Sequence, residues 1–137
     1  MKRALMLLAM AAVAMAQTRP DVLDFFESLA HALSNAHSGG DQGTSDIGPF
    51  LDKFDPAMPG YAKLRNDVEE LAVRSEIGSA IEVVSDQGND RGRTVELDWV
   101  LEAEGQRPRR KIVKCTIERK KKDWKITSFD PIGFFAF

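Results

Sequence analysis

The sequence predicts an α+β fold, three N-terminal helices followed by an antiparallel β-meander, and three observations predict it. Apolar residues recur with a period near 3.6 between Val22 and Ala72. From Glu76 almost to the end of the chain the period is near 2, with turn residues at intervals. The whole pattern fits within the length of one domain once an N-terminal leader is set aside.

The leader is read from charge and length. Lys2 and Arg3 supply a positive start, Ala4 to Val13 is an unbroken run of Ala, Leu, Met and Val, and Ala14-Met15-Ala16 places small residues at the cleavage positions. A bilayer span needs about 20 apolar residues, and this run stops at Gln17, Thr18, Arg19 and Pro20. Residues 1–16 are therefore expected to be a secretory signal peptide cleaved after Ala16, and 17–137 a single extracytoplasmic domain, periplasmic or secreted. No stable membrane anchor is expected, since no cysteine follows the cleavage site to take a lipid. Cys115 is the only cysteine and cannot close an intramolecular disulfide in the oxidising compartment that export implies. With Val113 and Ile117 on its strand face, it reads as a small buried hydrophobe.

Pro20 suits the first turn of a helix, and Val22, Phe25, Phe26, Leu29, Leu33 and Ala36 then share one face up to His37. Ser38 to Thr44 is a glycine-rich loop. Ser45 is placed to cap a short second helix with the stripe Ile47, Phe50, Leu51 and Phe54. Pro56 and Pro59 stop it, because each disfavours helical geometry in the residue before. A third helix runs from Tyr61 with Leu64, Val68, Leu71 and Ala72 on its buried face. Strands are expected over 77–86, 94–104, 110–119 and 124–129, the first turn being the Gly- and Asn-containing segment 87–92.

Removing Lys2 and Arg3 leaves 17 basic against 21 acidic residues, a net charge of −4 that argues against nucleic-acid binding. The charges are segregated. Ten cations fall between Arg107 and Lys125 with only Glu118 and Asp123 among them, whereas Gln17 to Gly105 holds eighteen acids and seven bases. Matching apolar faces sets Trp99 opposite Val113, Leu97 opposite Cys115 and Val95 opposite Ile117, which places Asp98 against Lys114 and Glu102 against Arg110. A slide that sets Glu96 against Glu118 would pair like charges and is disfavoured by up to about 1 kcal/mol. The segregation is then mostly a cross-strand charge ladder. Lys120-Lys121-Lys122-Asp123 remains as a solvated hairpin tip, weakly attractive to anionic lipid or polysaccharide.

Val22-Leu23-Asp24-Phe25-Phe26 on the first helix, Phe50-Leu51-Asp52-Lys53-Phe54-Asp55 before the third, and the closing Asp123-Trp124-Lys125-Ile126 resemble the nuclear-transport-factor-like, ketosteroid-isomerase-like superfamily. The resemblance covers nearly the whole of 17–137. It implies a strongly curved sheet wrapped around the helices as a cone, and it is compatible with isomerases, dehydratases, cyclases, ligand carriers and dimerising accessory domains. Enzymes of that superfamily place Asp, His or Tyr inside an apolar cone, but here the strands send Val, Leu, Trp, Cys and Ile inward.

The expected function is accordingly non-catalytic: an exported binding or accessory domain that holds a small apolar molecule or a protein partner. Phe25, Leu29, Tyr61, Trp99 and Trp124 are expected to line the ligand site, and Phe129 is a further candidate for its wall. The alternative is an isomerase, dehydratase or hydrolase in which Tyr61 works with Asp55, His31 or Asp130 as acid and base. Asp55 and Asp130 each sit in Phe-Asp-Pro, which reads first as a turn. A homodimer through the sheet face is a third reading. No cofactor and no metal are expected, because His31 and His37 are six apart and no third ligand stands near them. The ending Phe134-Phe135-Ala136-Phe137 is too apolar to be simply exposed, so it covers the cone, enters a partner or extends the last strand.

Overall fold

The computed structural model describes residues 18–37 and 46–137. The leader, its cleavage site, the glycine-rich loop and Ser45 lie outside the described residues. Helix α1 spans Pro20–Ser34 and buries Val22, Phe26, Leu29, Ala30 and Leu33, with Phe25 half-buried beside the stripe. Helix α2 is a single turn, Gly48–Leu51, from which Phe50 is buried. Phe54 beyond it forms a parallel bridge with Ile126: Asp55 N donates to Ile126 O at 2.9 Å and Ile126 N to Lys53 O at 2.8 Å. That bridge occupies part of an edge that would otherwise be open to other strands.

Helix α3, Tyr61–Arg74, buries Leu64, Val68, Leu71 and Ala72. It starts at Gly60, whose φ of 79° and close neighbour require a glycine: a Cβ there would lie 2.5 Å from Ile132 Cγ1. Four strands follow, β1 Ile77–Gly88, β2 Gly92–Ala103, β3 Arg109–Lys120 and β4 Asp123–Asp130, in one antiparallel sheet of order β1-β2-β3-β4. Bulges between Val83 and Ser85 and between Thr116 and Ile117 bend the outer strands and give the sheet its curvature. The predicted α+β class and each predicted element are present, with α1 ending at Ser34 rather than near His37, α2 reduced to one turn, and the strand ends within one or two residues of their predicted positions, β2 alone ending earlier than expected.

The cross-strand register differs from the predicted one by two residues. Leu97 faces Val113, Val95 faces Cys115 and Glu96 faces Lys114, so Asp98 pairs with Arg110 rather than Lys114, through bonds of 3.0 and 2.7 Å, and Glu102 does not face Arg110. Charge repulsion had excluded only the opposite slide. The observed register leaves Trp99 opposite Ile81 on β1 but opposite Lys111 on β3, and the end of the chain packs against its ring as well.

Phe134 and Phe135 are buried and lie 5.4 Å from the Trp99 ring, and Phe129, Phe50 and Phe54 complete the aromatic cluster. Arg109 Nη1 donates to Phe134 O at 2.6 Å and to Ala136 O at 2.7 Å, which ties the tail down. Of the three fates expected for the tail, covering the interior is the one found.

Candidate functional site

Two shallow depressions run along the β4 side of the molecule and share Asp52 and Lys125 in their walls. The first, about 480 Å³, is lined by Asp21, Phe25, Lys53, Arg119, Lys122 and Trp124 among others. The second, about 390 Å³, is lined by Leu51, Phe54, Asp55, Tyr61 and Lys120 among others.

The first is organised by Asp21, on the opening turn of α1. Its Oδ2 accepts from Arg119 Nη2 at 3.0 Å, Trp124 Nε1 at 3.1 Å and Arg19 Nη2 at 3.4 Å, while Oδ1 accepts from Val22 N at 3.0 Å. Partial burial opposes ionisation, but the bonds from Trp124, Arg119 and Arg19 outweigh it and hold the carboxyl at about 2. Such a carboxylate is anionic at any physiological pH and is a poor proton acceptor. Arg119 also stacks over the Trp124 ring at 4.2 Å and donates to Asp90 O at 3.0 Å. Helix α1, the β1–β2 turn and the β3–β4 hairpin are thereby joined at one corner.

In the second depression Asp55 Oδ1 accepts from Ala57 N at 2.9 Å, a turn bond, and Oδ2 lies 3.9 Å from Lys120 Nζ. Tyr61 is half-buried at the start of α3.

The predicted site residues do not converge. Asp55 and Tyr61 share one depression, Phe25 and Trp124 the neighbouring one. Leu29 and Trp99 are fully buried and line neither depression. Phe25, Leu29, Tyr61, Trp99 and Trp124 therefore do not all share either depression, and Phe134 and Phe135 pack against Trp99. His31 is exposed on α1 and Asp130 is exposed at the end of β4, both away from Tyr61's depression. His37 bonds through Nδ1 to Ala72 O, linking the end of α1 to α3. Asp21, Arg119 and Asp52 were not singled out from the sequence. The Asp21–Arg119 and Asp21–Trp124 bonds span 98 and 103 residues, a separation at which no local pattern reports.

Among the described residues no three His, Cys, Asp or Glu side chains come together as a metal site. Nor is any helix among them long and apolar enough to cross a membrane. Burial pushes the Cys115 thiol well above its ordinary range.

The architecture is that of the NTF-2-like, cystatin-like proteins. An NTF-2-like protein of unknown function from Shewanella oneidensis superposes with a TM-score of 0.55 at 11% identity, over 78% of this chain and 95% of that one. A protein of unknown function with a cystatin-like fold from Nostoc punctiforme gives 0.54 at 15%, over 81% and 90%. Bd1075 of Bdellovibrio bacteriovorus gives 0.66 at 15% over 80% of this chain, which spans 39% of that protein. At such identities these are likenesses of fold. No protein-family model and no curated protein matches the sequence.

Proposed function

We propose that the chain is an exported, non-catalytic accessory domain whose partner is a protein, in the first instance a second copy of itself. The observation that carries this reading is the filled interior: Trp99, Phe129, Phe134 and Phe135 occupy one another's faces where an apolar ligand would otherwise sit. The acid-base alternative loses support for the same reason, since Tyr61 and Asp55 meet only at an open surface depression. The occurrence of this fold as 39% of the longer Bdellovibrio chain is in keeping with an accessory module.

The outer sheet face supports the choice of partner. Ile112 and Val84 are 54% and 49% exposed there. Glu82, Asp98 and Glu102 mark its β1–β2 side, and Arg110 and Lys114 its β3 side. A twofold axis through that face sets the acidic strip of one copy against the basic strip of the other. Native mass spectrometry of residues 17–137 at micromolar concentration tests the reading: a dimer without bound small molecule, dissociated by Ile112→Glu, is expected. A monomer that releases a reproducible small-molecule mass on denaturation would reject it in favour of a carrier or enzyme.

A further inference from the structure

The charge ladder absorbs only part of the basic segment. Arg110 is bidentate on Asp98, and Lys114 stands opposite Glu96. Arg107, Arg109 and Lys111 have no ion pair with a carboxylate within 4.0 Å among the described residues. Arg107, Arg109 and Arg110 nevertheless line one shallow depression of about 650 Å³, walled also by Gly105, Gln106, Pro108 and Phe137 and by no acidic side chain. The basic cleft beside Trp124 is different, because Asp21, Asp52 and Asp123 line it together with its cations.

Two of the three guanidinium groups are held in place by the fold. Arg109 Nη1 is fixed by two tail carbonyls, and its guanidinium stacks on the Phe137 ring at 4.2 Å. These partners orient the group without neutralising it, and its Nε and Nη2 donors make no hydrogen bond among the described residues. Arg110 is oriented by Asp98. Arg107 is carried on the short loop between Gly105, at φ +82°, and Pro108.

From this arrangement we infer that the β2–β3 end of the sheet is a phosphate-binding site, taking a phosphate group either free in solution or as a lipid headgroup. One fork satisfies one carboxylate, as Arg110 does for Asp98. Arg107 and Arg109, which have no carboxylate partner among the described residues, together with the remaining Nη1 of Arg110, surround a depression lined by no acidic side chain and match instead an anion with two charges and several acceptor oxygens, for which planar arginine forks are suited. The depression is open, so the rest of any phosphate-bearing molecule stays in solvent. The site shares only Arg110 with the proposed interface; Arg107 and Arg109 line the end of the sheet and not its outer face, so Arg107→Gln tests it separately.

The test is an amide NMR titration of residues 17–137 with inorganic phosphate at constant ionic strength, acetate serving as control, alongside flotation with vesicles of phosphatidylcholine alone or mixed with phosphatidylglycerol. Phosphate is expected to shift the amides of Gly105, Gln106, Arg107, Arg109, Arg110 and Phe137. Exposed Arg107→Gln is expected to weaken binding about tenfold with an unchanged melting temperature. Flotation with the phosphatidylglycerol vesicles alone, lost in Arg107→Gln without any shift by free phosphate, would assign the headgroup form. Equal shifts with acetate, shifts centred on Lys53, Lys122 and Lys125, binding unaltered by Arg107→Gln, or neither shift nor flotation would overturn the inference.

Discussion

The two tryptophans, expected to face one pocket, ended in opposite environments. Trp99 is fully buried among phenylalanines, and its one polar atom is satisfied by a single bond, Nε1 to Ser79 Oγ at 2.9 Å. Trp124 is nearly as buried, 5% exposed, yet its indole N–H serves a carboxylate and its ring carries a guanidinium. The same side chain acts as an apolar filler in one place and as the polar handle of a charged corner in the other. The difference lies in what the fold brings opposite each: the apolar tail in one case, Asp21 and Arg119 in the other.

If that contrast is right, truncating each centre should fail differently. The largest effect is expected for Trp99→Ala, about 3–5 kcal/mol of destabilisation by urea titration, with no dependence on pH between neutrality and pH 3. A loss below about 1 kcal/mol would mean the aromatic interior is not packed as described.

Asp21→Ala comes second, at about 1 kcal/mol near neutral pH, the lower end of the range for a lost charged acceptor because the side chain is 39% exposed. Here pH does matter. The folded carboxyl titrates at about 2 against 3.8 for the unconstrained group, so its stabilisation is fully present above about pH 4 and is lost as pH falls towards 2. Wild type and variant should therefore converge in stability across that interval. A gap that persists at pH 2 would show that Asp21 acts by packing alone.

The smallest effect is a gain. Lys121 holds a φ of 60° at the tip of the β3–β4 hairpin, a region that costs a residue with a Cβ about 1 kcal/mol. Lys121→Gly is expected to raise the melting temperature slightly, by the equivalent of about 0.5 kcal/mol after the entropy of glycine in the unfolded chain is subtracted. It should leave both tryptophan environments unaltered by fluorescence, and a red shift on this substitution would tie the hairpin tip to the Trp124 corner more tightly than the bonds described here.

Much of the fold is legible in the chain itself. The change of period at Glu76 separates helices from strands, and alternation assigns Val95, Leu97, Trp99 and Leu101 to the buried face and Glu96, Asp98 and Glu102 to the other, because side-chain direction is a local property of the backbone. The candidate site was less legible. Asp55 and Tyr61 share a depression as the short segment between them allows, whereas Phe25 and Trp124, 99 positions apart, line one depression together with Asp21, which bonds Trp124.

Composition and periodicity by themselves determined the class of each element, which side of each strand is apolar and where the chain must turn, since these follow from spacing within a few residues. Tertiary structure alone decided the β2–β3 register, the burial of Phe134 and Phe135 against Trp99, and the Asp21–Arg119–Trp124 corner. Two registers that differ by two residues present the same faces. Part of what covers Trp99 comes from the tail that follows β4, outside β2 and β3, where no local pattern in those strands can register it.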